Sequence, residues 1–189
     1  MAVTKLEMKK MVLALIEELN ADSEYLTDDP DIQAKIDYVM NQIMFELARI
    51  KKIPKYVEME VSAGDIINFE QIEKACGYEI YQLGTIGGII YTPKANGTVI
   101  KVIEGGTAEI DCYVYPERIT DKTKDKAYEF ELSPDVLEIM PYGVAADLLK
   151  SDVSAEYGNV YAQRYEALKQ TLDPRYQMNS IYVDGGINI

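Results

Sequence analysis

Hydrophobic spacing changes twice along this 189-residue chain, and that double change restricts its fold more than any motif does. Before Pro54, apolar residues recur at three- and four-residue steps, as on the buried stripe of a helix. Between Tyr56 and Leu132 they alternate, as in strands with one covered face, and after Ser133 the helical step returns. The last third, from Ser133 to Leu172, reads as helices that need a partner, and the helical pattern before Pro54 supplies it. The expectation is an α+β fold: a helical bundle made from residues 1–54 and 133–173, an inserted antiparallel β meander of barrel-like character over 55–132, and a C-terminal arm over 174–189.

Local signals place the elements. Thr4 and Glu7 fit a capping box, and Met8, Met11, Val12, Leu15, Ile16 and Leu19 form a stripe that predicts a helix ending near Asn20. Asp29 before Pro30 is a cap followed by proline at the first helical position, and the seam from Ile32 to Ile50 predicts a long helix closed by Lys51, Lys52 and Pro54. The acids between Ala21 and Asp31 lack the central Gly and the Glu at position twelve of a calcium loop, so they read as a turn. Strands are expected at 56–61, 78–83, 85–92, 98–103 and 108–115, with tight turns at Asn96-Gly97 and Gly105-Gly106 and a final strand over Tyr128–Leu132. The stretch Ile66–Gly77 fits a short helix through Phe69, Ile72 and Ala75-Cys76 no better than a strand. Ser133-Pro134 starts a helix, Pro141 predicts a break near Met140 with a second helix to about Lys150, and a last helix runs from about Val153 to Leu172.

Charge narrows the functional classes. The formal net charge is -13 with no histidine, and each third of the chain is acidic. Phosphate backbones are bound by clustered Lys and Arg, so sequence-specific nucleic-acid binding is excluded as an expectation, while DNA could pass beside such a surface without sticking. Cys76 and Cys112 are expected to stay reduced. The apolar run at Met11–Ile16 is too short for a signal peptide and nothing approaches a membrane span, which predicts a protein made in the cytoplasm.

Motifs for chemistry are weak. Gly84–Gly88 is glycine-rich but lacks the Lys-Ser/Thr of a phosphate loop, and Asn96-Gly97-Thr98 reads as a hairpin tip and not as a glycosylation site. Glu109 and Asp111 share a strand face and could serve a carboxylate-dependent hydrolase, but acids are abundant in this chain and an exposed polar face explains them better. Tyr91, Tyr113 and Tyr115 could line a ligand- or carbohydrate-binding β module, a reading weakened by the absence of Trp. No catalytic, cofactor or metal residue is assigned. The candidate residues are those of an interface: Tyr157, Tyr161, Arg164 and Tyr165 on the last helix, then Tyr176, Ile181, Tyr182, Val183, Ile187 and Ile189 on the arm.

The order of parts, with Tyr113–Thr120 closing the β insertion and Leu132–Leu149 following it, resembles the head-tail connector (adaptor, or neck) proteins of tailed bacteriophages. The likeness is closest at Pro141–Ala146 and at Tyr161–Glu166. It implies a non-enzymatic virion component that forms a ring of identical subunits, commonly a dodecamer, beneath the portal. Such a ring joins portal to stopper or tail and lets the genome pass through its lumen. Portal, stopper or tail protein and further copies of the chain are then the expected partners, without cofactor, metal or membrane.

Overall fold

The computed structural model describes residues 3–24, 26–97, 99–150 and 155–172, and has the expected α+β class. Helices α1 (Lys5–Leu15) and α2 (Pro30–Ile50) precede strands β1 (Ile53–Val61) and β2 (Ile66–Asn68) and helix α3 (Phe69–Cys76). Strands β3 (Ile80–Gly87), β4 (Ile90–Lys94), β5 (Val99–Glu104) and β6 (Gly106–Val114) follow, then helices α4 (Pro134–Leu149) and α5 (Ala155–Lys169).

Helix starts follow their capping chemistry. Thr4 and Glu7 make the reciprocal capping box of α1, and Asp29 accepts from the amides of Asp31 and Ile32 ahead of Pro30. Asn68 and Gln71 form a second box, which settles Ile66–Gly77 as a three-residue strand followed by a helix stopped at Gly77 in the left-handed conformation. At α4 the cap is incomplete, because the Ser133 hydroxyl is buried and unpartnered. Helix α1 stops at Leu15 and not near Asn20: Glu17 takes a positive φ of 61°, which ends the helical path before Leu19 can join the stripe.

One apolar core joins both ends of the chain. Met8, Val12 and Leu13 of α1, Met40, Met44 and Leu47 of α2 and Val136, Met140 and Val144 of α4 are buried in it together, with Tyr165 of α5 at its edge. The break expected near Met140 does not occur, and α4 runs unbroken through Pro141. Proline there has no amide hydrogen to give Leu137 and costs about 3 kcal/mol. Ten of the sixteen α4 residues are buried, on both sides of the proline, and burial of about 1.5–3 kcal/mol per large apolar side chain outweighs one lost hydrogen bond.

The β region is two open three-stranded sheets, not a closed barrel. Strand order is β1-β6-β3 in one and β2-β5-β4 in the other, all antiparallel. Their inner faces share a second core containing Val57, Ile67, Ile72, Ile100, Val102, Ile110 and Val114. Consecutive strands therefore do not all pair: the chain changes sheet four times, between β1 and β2, through α3, at Gly88-Ile89 and at Gly105. The turn expected at Gly105-Gly106 is such a crossing and not a hairpin, whereas Ala95–Gly97 does join paired strands. Gly88 has φ 74°, and a Cβ on it would lie 2.0 Å from the Thr107 carbonyl oxygen; on Gly105 it would lie 2.5 Å from that of Val61. The final strand expected over Tyr128–Leu132 is reduced to one bridge, Thr4 to Glu129, because this segment runs beside the start of α1, where Lys5 N–H donates to Tyr128 and Phe130 N–H donates to Val3.

That tie is reinforced by charge. Lys5, only 2% exposed, sits at the start of α1, an unfavourable place for a cation near the positive end of the helix dipole. Its ammonium is 2.7 Å from Asp37 of α2 and 2.9 Å from Asp125, and it donates to the Thr123 carbonyl. Lys9 bridges the same two acids at 3.0 and 3.2 Å. Burial pulls the Lys5 pKa down, but hydrogen bonds and charge from Asp37 and Asp125 outweigh it and hold the pKa above the usual lysine value. Desolvation likewise opposes ionisation of Asp125, but hydrogen bonds and charge from Lys5 and Lys9 outweigh it and hold the pKa below normal. Asn41 adds a neutral clasp: its amide donates to the Ile119 carbonyl at 2.8 Å and its oxygen accepts from Ile119 N–H at 2.9 Å.

Lys5→Met is expected to lower stability by about 2–3 kcal/mol at neutral pH in urea unfolding, less than for a wholly buried pair because Lys9 still faces both acids. The Lys5 contribution is full below the unfolded lysine pKa and fades as pH rises through the higher folded value. That of Asp125 is full above the unfolded carboxylate pKa and fades as pH falls through the lower folded value. An unchanged midpoint in the Met variant would mean that the cluster adds nothing net. Gly88→Ala is expected to cost more than about 2 kcal/mol in the same assay, from strain at positive φ together with the Thr107 clash.

Candidate functional site

Helix α5 carries the interface residues expected from the sequence, and packing divides them. It lies along α4, with Gly158 facing Leu149 and Tyr165 facing Gly143. A Cβ on Gly143 would come within 2.8 Å of the Tyr165 ring and 3.0 Å of Ile43 Cγ2, so the glycine sets how closely α5 approaches α4 and α2. Tyr165 is thereby buried. Desolvation, and then the charge of Glu46, push its hydroxyl pKa up, so it stays neutral through the physiological range. Lys169 lies over the Tyr165 ring at 4.8 Å and pairs with Glu46 of α2 at 2.7 Å, fastening the end of α5 to the bundle.

One turn back, the Tyr161 hydroxyl donates to the Leu15 carbonyl, one of the acceptors that the last turn of α1 leaves unpaired. Arg164 stacks over Tyr142 of α4 at 4.5 Å. Tyr157 is different: at 69% exposed it points outward with the exposed Val160, and it borders a cleft of about 210 Å³ lined also by Leu15, Ile16, Leu149 and Tyr161. The candidate stripe is therefore a packing face at Tyr161 and Tyr165 and a solvent face at Tyr157 and Val160, with Arg164 lying against α4. Tyr176, Ile181, Tyr182, Val183, Ile187 and Ile189 lie outside the described residues.

The alternative sites are dispersed. Glu109 and Asp111 project from the exposed face of β6, Asp111 accepting from the Thr85 hydroxyl. Tyr91 packs against the core between the sheets. Tyr113 lies under the Lys52 ammonium at 4.5 Å. Tyr115 is buried between Phe45 and Tyr81, with ring centroids at 5.0 and 4.8 Å, and its hydroxyl accepts from Arg49 Nε at 2.5 Å. These three tyrosines do not form one platform. Tyr81 donates to the Ala48 carbonyl, and burial pushes its pKa up to about 12, so the aromatic group is a neutral joint between the helical and β cores.

Neither a scan against models of known protein families nor a search of curated proteins finds a match.

Sequence reading missed the outward apolar residues of the second sheet, Ile66, Ile90 and Ile103. Each follows or precedes another β-branched residue, in Ile66-Ile67, Ile89-Ile90 and Val102-Ile103. In a strand of period two, one member of such a doublet must face away from the core. That was the available signal.

Gly143→Ala tests the packing at the centre of α5. Alanine in a helix normally gains about 0.5–1 kcal/mol over glycine. Overpacking against Tyr165 and Ile43 is expected to reverse the sign and destabilise by about 1–3 kcal/mol in urea unfolding. A stabilised variant would show that α5 can move away freely.

Proposed function

We propose that this chain is a non-enzymatic structural subunit of the head-tail connector type, forming a ring between a portal and a stopper or tail component of a virion. The observation that carries the reading is that the two stretches of closest likeness to those proteins meet in the fold. Pro141–Ala146 lies in α4 and Tyr161–Glu166 in α5, and they touch through Gly143 with Tyr165 and through Tyr142 with Arg164. The segments therefore act as one packing unit, as a shared architecture requires.

Two further properties suit the role. The bundle is built from both ends of the chain around an inserted β region, to which an aromatic joint ties it. The net charge of -13 repels phosphate, which favours free passage of DNA through a lumen over adhesion to it. In this reading residues 174–189 are an arm that docks on an adjacent ring, and Tyr157 and Val160 offer exposed apolar surface for assembly.

Mass photometry and negative-stain imaging of the full chain, alone and mixed with a portal protein from the same genome, test the proposal. Ring-shaped particles of uniform mass that bind portal are expected. Removal of residues 174–189 should leave the ring and weaken its attachment to the neighbouring component. A chain that stays monomeric and never binds portal overturns the reading.

A further inference from the structure

The two sheets turn opposite chemistries outward. On the second sheet, Ile66, Ile90 and Ile103 are 61, 54 and 47% exposed. Register sets Ile66 and Thr92 on either side of Lys101, with Ile103 two residues along the same face and Lys94 beside Val99. Lys94 and Lys101 are exposed, and neither has an acidic partner among the described residues.

On the first sheet the outer face holds Tyr56, Glu58 and Glu60 of β1 with Thr107, Glu109 and Asp111 of β6. Glu58 stands directly opposite Glu109, a like-charge pairing that destabilises a sheet. Tyr56 donates to Glu58 at 2.9 Å and Thr107 donates to Glu60 at 2.6 Å, but none of the four carboxylates has a cationic partner among the described residues. Next to them β3 presents Gly84 and Gly87, on which an added Cβ would lie 3.1 Å from the Asp111 Cβ and 3.6 Å from a Glu109 carboxylate oxygen, with Thr85 between them donating to Asp111.

We propose that these faces are the two halves of one contact between copies of this chain, the isoleucine-lysine face of one copy seated on the acidic face of the next. Each face supplies what the other lacks. The isoleucines cover Tyr56 and the two glycines of β3, and Lys94 and Lys101 neutralise carboxylates that have hydroxyl donors but no cationic partner among the described residues. Because the two faces differ, the contact is heterologous and repeats from copy to copy, as a ring requires. The inference rests on the ring reading and adds the surface through which the ring would close.

Charge reversal separates the two ideas. Lys101→Glu and Glu109→Lys, each checked for folding by circular dichroism and thermal melting, are expected to weaken self-association of the full chain by about tenfold or more in sedimentation velocity, with portal present if wild type needs it. An equimolar mixture of the two variants should recover assembly, because every junction then pairs Lys with Glu. Ile66→Ser with Ile103→Ser should weaken assembly without rescue by either. Zero-length cross-linking between isotopically labelled and unlabelled copies should join Lys94 or Lys101 to Glu58, Glu109 or Asp111. Wild-type assembly that both charge reversals leave unchanged, or whose loss is not recovered on mixing, overturns this contact and leaves the ring reading standing. A wild-type chain that never assembles, with or without portal, overturns both.

Discussion

Helix α4 has almost no side to spare for solvent, and the placement of the other helices follows from that. Its buried residues meet α1, α2 and α5, so the N-terminal hairpin cannot complete its core until the last third of the chain arrives. This long-range closure explains how a proline in mid-helix is tolerated. The Pro141 ring is itself buried, and a kinked alternative would lose packing on two fronts to recover one backbone hydrogen bond. Gly143, two residues on, sets the closest approach of α5. A short run of α4 thus fixes both the straightness of the central helix and the distance to its neighbour.

Around that core, polar groups fix positions that apolar burial alone would leave loose. The segment from Tyr115 to Leu132 has almost no regular structure, yet it is buried at Ile119, Tyr128 and Phe130. Asn41 holds it at Ile119, the lysine-aspartate cluster holds it at Asp125, and Tyr128 donates to the Glu117 carbonyl at 2.5 Å, within the segment itself. Buried charges are costly unless paired and buried polar groups unless hydrogen-bonded, so these contacts specify register more than they add stability.

The helical half was largely legible from sequence because its signals are local. Caps at Thr4 and Asp29 and the apolar seam of α2 depend on neighbours three or four residues away, and they placed the starts of both helices. Departures arose where distant parts decide the outcome. Pro141 is a breaker by local rule and is overridden by packing; Tyr128–Leu132 has a strand's alternation but, among the described residues, pairs its backbone with the start of α1 and not with a strand. The β insertion gave its strands and concealed their partners, since strand spacing does not reveal that the chain crosses between sheets at Gly88 and Gly105. Of the candidate interface residues, Tyr161 and Tyr165 share the spacing of Tyr157 on one helix, and only the position of α4 and α1 separates those that pack from the one that faces water.

The pairing of β1 with β6 has a consequence for how such a chain can vary. Ile53 lies opposite Val114, so the insertion leaves the bundle and returns to it through adjacent strands, a doorway one strand spacing wide. Beyond that doorway, and apart from the Tyr81 joint to Ala48 and Tyr115, the insertion can be lengthened, shortened or exchanged while the bundle's geometry is kept. Adding one residue pair to each of the two strands would carry the sandwich outward by about 7 Å without changing which face points where. The same helical scaffold can in this way carry insertions of different reach, adjusted in discrete steps of the pleat.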